Sequence, residues 1–375
     1  KRAANHTPHD RVVVVAIDDN SLENLGQFPW DRSYYAHFLD MINQPGNEPK
    51  AIAFDILLND ESDPESDAVL AEALARYPNV ILPTVGITES EVSGTLSGNR
   101  HAYPQAYRMD APLEIFSEHT HVAHINRLSD EDGVIRKIWL KLQDPDSNVY
   151  NTLAFEAVKM YGADLTKFEN IVTPGQFKDT INISYQGEKN DFTTISFFDI
   201  FNGELLESDF LKDAIVFVGF TASGLSEGNS QDTGTTPIEK VVKLVYVHAN
   251  VANQLLNGLT VTEAPAWAGW LMVILLLAFF IWLPWGVKNV YSILVFLAAI
   301  AALLAGQFYY FQMFSQHFPV VYGLMGMSLV YIANVSLKAY SESWQKNFVT
   351  RQFGRYISPD LVKQIVEQNI DIKLG

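Results

Sequence analysis

The sequence predicts an α/β extracytoplasmic domain with a mainly parallel sheet and inserted hairpins. An all-α region of three transmembrane helices and a cytoplasmic helix follow it. Three observations carry this reading. The runs RVVVVAI (11–17), KAIAFDILL (50–58) and AIVFVG (214–219) are continuous and rich in β-branched residues, as strands buried on both faces of a sheet are. Helical patterns alternate with these runs over short links, the order of βαβ units. From Ala264 to Leu337 the only formal charge is Lys288, in three apolar blocks each near the roughly 20 residues that cross a bilayer's hydrocarbon.

In chain order, Lys1–Asp10 is a polar lead-in. The first strand ends in Asp18-Asp19-Asn20-Ser21, residues suited to capping a helix, with Leu22 and Leu25 before Gly26. Phe28-Pro29-Trp30-Asp31-Arg32-Ser33 reads as an ordered turn, and Phe38, Leu39 and Ile42 mark the apolar side of a second helix. Lys50–Leu58 is a strand, Asp60–Asp67 an acidic loop, Ala68–Tyr77 a helix and Val80–Val85 a third strand. Thr88–Arg108 is polar and reads as a long loop or insertion. His121–Ile125 and Val134–Leu142 read as strands joined by a turn at Asp130-Glu131-Asp132-Gly133. Thr152–Tyr161 is an amphipathic helix, Asn182–Tyr185 a short strand, and Ser196–Phe201 begins a helix that stops at Gly203. After the strand Ala214–Gly219 come a mobile segment, Ser226–Thr236, a strand, Val241–Val247, and a closing helix, His248–Leu256.

The domain boundaries are therefore 1–263 for the soluble domain, 264–337 for the spans and 338–375 for the coupling helix and linker. The spans are expected at about 267–285, 290–310 and 318–337. Trp and Tyr crowd their ends, as in interfacial belts. In the second span Ala298, Ala302 and Gly306 form a small-residue stripe, expected to pack within the three-helix set, with packing across a dimer as the alternative. The spans carry no acidic or basic residue inside the hydrocarbon, which argues against an ion pathway. Lys288 and the tail residues Lys338, Lys346, Arg351 and Arg355 are assigned to the cytoplasm by the positive-inside rule. Residues 1–263 are then periplasmic or extracellular, on a multi-pass protein of the cell (inner) membrane. This topology expects a signal anchor or further span before Lys1.

Charge is unevenly divided. Residues 1–263 hold 39 acidic against 19 basic side chains, and the remainder 4 against 7. An acidic ectodomain argues against nucleic acid and anionic lipid surfaces as partners, and is compatible with a divalent cation or a cationic ligand. The absence of cysteine excludes disulfides, Cys-ligated zinc and thiol catalysis.

Asp18, Asp19 and Asp55 fall at the ends of expected parallel strands, where α/β folds place ligands, and Asp63 and Asp67 can approach the same edge. Such carboxylates suit Mg²⁺ or Ca²⁺; the competing reading has Asp18 and Asp19 capping a helix and Asp55 paired with an arginine. The Asp130–Gly133 turn lacks the glutamate an EF-hand needs. His248 reads as a packed core histidine, Ser223 has no nucleophile elbow, and Gly219–Gly224 is either an anion cradle or a tight turn. No catalytic constellation and no cofactor is expected within 1–375.

The strings VVVVAIDDNSL, FPWDR, AIAFDILL, HINRLSDEDGVIRKI, AIVFVGFTASGL and VHANVANQLLNG occur in the order found in CHASE domains of the second type, which this chain resembles over nearly all of 10–260. The resemblance implies an extracytoplasmic sensor flanked by one span before and three after, with an unknown ligand or partner outside. One departure is VVKLVYV (241–247), where relatives carry a Gly-containing turn. FGRYISPDLV (353–362) resembles the segment that joins membrane sensors to class III nucleotide cyclase domains. Phe353, Gly354, Arg355 and Tyr356 would form the coupler, with Ser358 capping a new helix that has Pro359 at its first position. The resemblance implies a homodimeric receptor adenylate cyclase whose catalytic domain follows Gly375, binds ATP and uses Mg²⁺ or Mn²⁺. The same sensor joined to a histidine kinase or diguanylate cyclase, or a tethered binding protein without enzymatic output, are the alternatives.

Overall fold

A computed structural model describes residues 8–88, 102–173, 176–204, 210–223, 232–264, 266–314, 316–317 and 320–353. The chain divides into two units, Lys1–Val261 and Thr262–Gly375.

The first unit is built on a mixed, mainly parallel sheet. Its strands are β1 (Val12–Ile17), β2 (Ala51–Phe54), β3 (Val80–Thr88), β4 (Ala106–Asp110), β5 (His121–His124), β6 (Thr193–Ser196) and β7 (Ile215–Phe220). The order runs β6-β1-β7-β2-β3, with β5 parallel and β4 antiparallel to β3. Every residue of β1, β2 and β7 is buried, because helices cover both faces. Val13, Val15 and Ile17 point to one face, packed with α2 (Arg32–Ile42), α3 (Pro64–Arg76) and α5 (Phe197–Phe201). Val12 and Val14 point to the other, with α4 (Leu153–Tyr161) and α6 (Leu244–Leu256). Alternation vanishes from such strands because neither face meets water.

Local chemistry sets the helix starts. Asp18 caps α1 (Asp19–Leu25) by accepting from the Ser21 N–H at 2.9 Å, and Asp63 caps α3 by accepting from the Ser66 N–H at 3.0 Å. Each cap is worth about 1 kcal/mol. With Pro64 preset at its first position, α3 begins four residues before the expected Ala68 and takes in part of the acidic loop.

Other expectations are corrected. The segment 241–247 is not a strand: only Val242–Lys243 is extended, and α6 starts at Leu244. His121–His124 joins the main sheet instead of pairing with Val134–Leu142; the Asp130–Gly133 turn links Leu128–Ser129 to Ile135–Trp139. Asp130 and Asp132 of that turn are each held by Arg136 at 2.7 Å. The short strand expected at Asn182–Tyr185 is Thr180–Asn182, antiparallel to Ile135–Trp139. Most of the loops expected at Thr88–Arg108 and Ser226–Thr236 lies outside the described residues.

The second unit holds α7 (Ala266–Gly286), α8 (Asn289–Phe314) and α9 (Val320–Phe353). Each is long and apolar enough to cross a membrane, over Trp267–Gly286, Asn289–Phe311 and Val320–Phe348. At 1.5 Å per residue the 34 residues of α9 reach about 51 Å, well beyond the roughly 30 Å of hydrocarbon, so the third span continues as one helix into the expected coupling region. Lys338 on α9 donates from Nζ to the Pro284 and Val287 carbonyls at 2.5 and 3.0 Å, placing a cation on the carbonyl-rich end of α7. Thr262–Glu263 pairs with Gln316–His317, so the entry to α7 and the α8–α9 link share one side.

The small-residue stripe is corrected too. Ala298, Ala302 and Gly306 are exposed, and a Cβ built at Gly306 meets nothing within 4 Å. The close approach inside the set is made by Gly323 and Gly326 of α9, whose built Cβ atoms would sit 3.2 Å from Met272 and Leu277 of α7. Spacing identifies a face but not its neighbour. Of the coupling residues, Phe353 ends α9; Gly354, Arg355, Tyr356, Ser358 and Pro359 lie outside the described residues.

Gly219 in β7 lets α6 press onto the sheet: a Cβ there would stand 2.7 Å from Val245 Cβ. Gly219→Ala is expected to destabilise the fold by about 1–3 kcal/mol, read from denaturant unfolding. A change below about 0.5 kcal/mol would show that the two elements are not in tight contact.

Candidate ligand site

Adjacent strands β7 and β2 send their chains to opposite faces. Beyond β2 the chain enters α3 on one side, and beyond β7 it returns as α6 on the other. Such a switch leaves a crevice at the carboxyl ends of the strands, the usual ligand position in an α/β sheet. A cavity of 680 Å³ lies there, within the size range of small-molecule sites.

Each wall follows from a nearby element. Asp55 comes directly after β2, and Phe220 ends β7. Asn126, just past β5, donates to the Gly86 carbonyl at 2.6 Å and accepts the Gly86 N–H at 2.8 Å; this clamp fixes the segment that presents Arg127. Phe28 and Trp30 form an aromatic side, their rings 5.8 Å apart, with Phe28 also 5.5 Å from Phe220. Val247 and His248 come from α6. Five of the strings that carry the family resemblance thus converge on one cavity.

Burial dominates the electrostatics. His248 is 4% exposed; its Nε2 lies 3.8 Å from Asp55 Oδ1, and its Nδ1 has no hydrogen-bond partner. Desolvation pushes His248 down to about 4 and raises Asp55 to about 7 against the pull of Arg127. Near neutral pH the two therefore meet as polar groups more than as a formed ion pair. Asp232 is raised to about 6, first by burial and then by repulsion from Asp55, with Lys243 and Arg127 opposing. Behind the cavity His124 is driven to about 3 by burial and by His248. Tyr35, which lines the cavity and is 1% exposed, has an unpartnered hydroxyl raised by burial.

The five candidate carboxylates are not gathered into one site. Asp18 is committed to Ser21 and to Ser196 Oγ at 2.8 Å, and Asp19 accepts the Ser223 N–H at 3.0 Å. Asp63 is a helix cap. Asp67 accepts the Ser62 N–H and faces Arg32 Nε at 3.6 Å. Asp55 alone of the five lines the cavity. Among the described residues no group of three or more His, Cys, Asp or Glu is placed to hold a metal ion. Sequence reasoning missed His248 as a wall residue, and also Asp232, Arg127 and Tyr35. The FPWDR string was a usable signal for the aromatic side; nothing in the Gly/Thr/Ser segment marked Asp232.

At its other end α6 holds both polypeptide segments that leave the domain. The His9 N–H donates to Asn253 Oδ1 at 2.8 Å. Gln254 donates to the Asn182 and Leu259 carbonyls at 3.0 Å, and Asn182 donates to the Val261 carbonyl at 3.0 Å. Residues 1–287 match the CHASE2 domain, from the polar lead-in to the end of α7.

The chain belongs to the CHASE2 family.

CHASE2 domains are extracytoplasmic sensors with trailing transmembrane helices, and they often sit in receptor enzymes. No curated relative and no solved structure matches the chain. In this CHASE2 domain one helix thus lines the cavity and also holds the segments at His9 and at Leu259–Val261.

The buried titrating groups oppose one another. Between about pH 4 and about 7 the folded domain keeps a proton on Asp55, and up to about 6 on Asp232, that the unfolded chain has lost, so these residues disfavour folding as pH rises. His124 and His248 stay neutral down to about 3 and 4, whereas unfolded imidazole takes up a proton below about 6.5, so they favour folding as pH rises. Asp55→Asn should make the melting temperature climb more steeply from about pH 4.5 to about 6.5, and His248→Gln should flatten or reverse it. Parallel profiles for wild type and both variants would contradict the burial of the pair.

Proposed function

We propose that this chain is the sensor and transmembrane part of a membrane-bound receptor adenylate cyclase, set in the inner membrane with residues 1–263 outside and 338–375 in the cytoplasm. The observation that carries the sensing part is the span of α6. Its 13 residues, about 20 Å, put Val247 and His248 in the cavity and Asn253 and Gln254 on the exits to the membrane. A ligand in the cavity acts on the spans to the extent that it prefers one position of this helix over another. The continuous α9 helix is the route to the cytoplasm.

The resemblance of FGRYISPDLV to cyclase-joining segments supports the output. In this reading two copies of the chain bring together two class III domains following Gly375. There the ribose 3′-oxygen of ATP attacks the α-phosphate and releases pyrophosphate, with two Mg²⁺ or Mn²⁺ ions stabilising the charge.

Membranes holding the full-length receptor are expected to make cyclic AMP from ATP. Leu57 lines the cavity at its rim and is 39% exposed, so Leu57→Trp fills space without disturbing the core. That variant should change the rate several-fold at equal receptor levels. A different product, such as cyclic di-GMP or a phosphohistidine, would overturn the output; an unchanged rate would overturn the sensing role of the cavity.

A further inference from the structure

The cavity has a charge and surface character that narrow what it takes. Five acidic residues line it, Asp31, Asp55, Asp60, Glu61 and Asp232, against two basic ones, Arg32 and Arg127. Arg32 is engaged by the Asp60 carbonyl and by Asp67. Arg127 acts on both Asp55 and Asp232, and Lys243 acts on Asp232 as well. Two buried side chains of the wall, His248 and Tyr35, have polar atoms without hydrogen-bond partners. The aromatic side is open to a cation as well: the Lys243 ammonium already lies 5.1 Å from the Phe220 ring centroid while donating to the Ala222 carbonyl at 2.9 Å. Phe28, tilted against the same ring at 5.5 Å, is only half-buried.

We propose that the cavity binds a small organic cation, an amine with attached apolar surface, its ammonium between Asp55 and Asp232 and its apolar part against Phe28 and Trp30. A metal ion fits less well, because the carboxylates are dispersed and no ligating cluster forms among the described residues. An anion fits less well, because it would enter past Asp31, Asp60 and Glu61. Bound cation adds counter-charge beside Asp55 and Asp232, whose carboxyls burial raises despite Arg127 and Lys243, so binding releases protons and strengthens as pH rises from about 6 to about 8. His248 faces Asp55 from α6 and is neutral throughout that range, and Arg127 and Lys243 are the cations acting on the pair, so the two carboxylates set the dependence. This inference rests on the cavity being the sensing site.

The test uses the full chain in lipid nanodiscs and titration calorimetry. Phenethylamine and 1,4-diaminobutane are the cationic probes; phenylacetate, matched to phenethylamine in shape, is the anionic control. At least one amine is expected to bind, more tightly at pH 8 than at pH 6, with the heat showing proton release in buffers of different ionisation enthalpy. Asp232→Asn should weaken binding about tenfold or more, an effect of the size expected for a charge-assisted contact. Asp55→Asn, checked for folding by thermal unfolding, should do the same and abolish the proton release. Binding of phenylacetate in preference, failure of both amines, or amine binding unaffected by either variant would overturn the cation assignment. If Leu57→Trp still alters receptor output in those cases, the sensing role of the cavity survives and only the ligand class falls. If it does not, the sensing role falls whatever the calorimetry shows.

Discussion

One helix in this protein answers to two sets of constraints. Leu244–Leu256 is pressed onto the sheet at Gly219, where nothing larger than hydrogen fits beneath Val245. Its polar side is equally committed. Asn250 accepts the Gln186 and Gly187 N–H groups and donates to the Gly187 carbonyl at 3.0 Å. Asn253 and Gln254 are completely buried, so every lost partner there leaves a desolvated amide, at a cost of about 1–3 kcal/mol. A helix held this way on two sides moves as a body, and the rest of the domain is arranged around that fact.

The cavity follows from the same geometry. Because the chain after β7 returns on the face opposite to α3, the crevice between β7 and β2 has α6 as a wall. His248 comes to lie beside Asp55, a histidine and a carboxylate both far from water. Neither is needed for packing in those ionisation states, and an apolar pair of similar volume would avoid their desolvation. Both line the crevice where the sheet opens. In the membrane unit, the Lys338 ammonium on the end carbonyls of α7 and the Phe296–Tyr331 stack at 4.3 Å tie the three spans together at one end. Motion of one span there is felt by the others.

Much of this architecture is legible in the residues. RVVVVAI, AIAF and AIVFVG read as strands covered on both sides, and Asp18-Asp19-Asn20-Ser21 as a helix cap; Asp31 and Pro64 start helices inside what read as a turn and an acidic loop. The spans declare themselves by length and the lack of charge. What misled was local preference outweighed by tertiary contact: VVKLVYV has the β-branched content of a strand, yet Val245 and Val247 are core residues of a helix lying across the sheet. Asp55 was expected at the end of a buried strand, where α/β folds place ligands, and it lines the cavity. Asp18 shared that signature but spends its carboxylate on the helix cap that the competing reading gave it, and Asp63, in the acidic loop, caps α3. Asp232 reaches the same cavity from a loop distant in sequence, and only the fold brings it there.

The claim at the centre is that a change in the cavity reaches the membrane exits through α6. Hydrogen–deuterium exchange of the full chain in nanodiscs, comparing wild type with Leu57→Trp, tests it directly. Altered exchange running from Leu244 through Val261 is the predicted result. A change confined to residues 55–62, with 244–261 unaltered, would contradict the account.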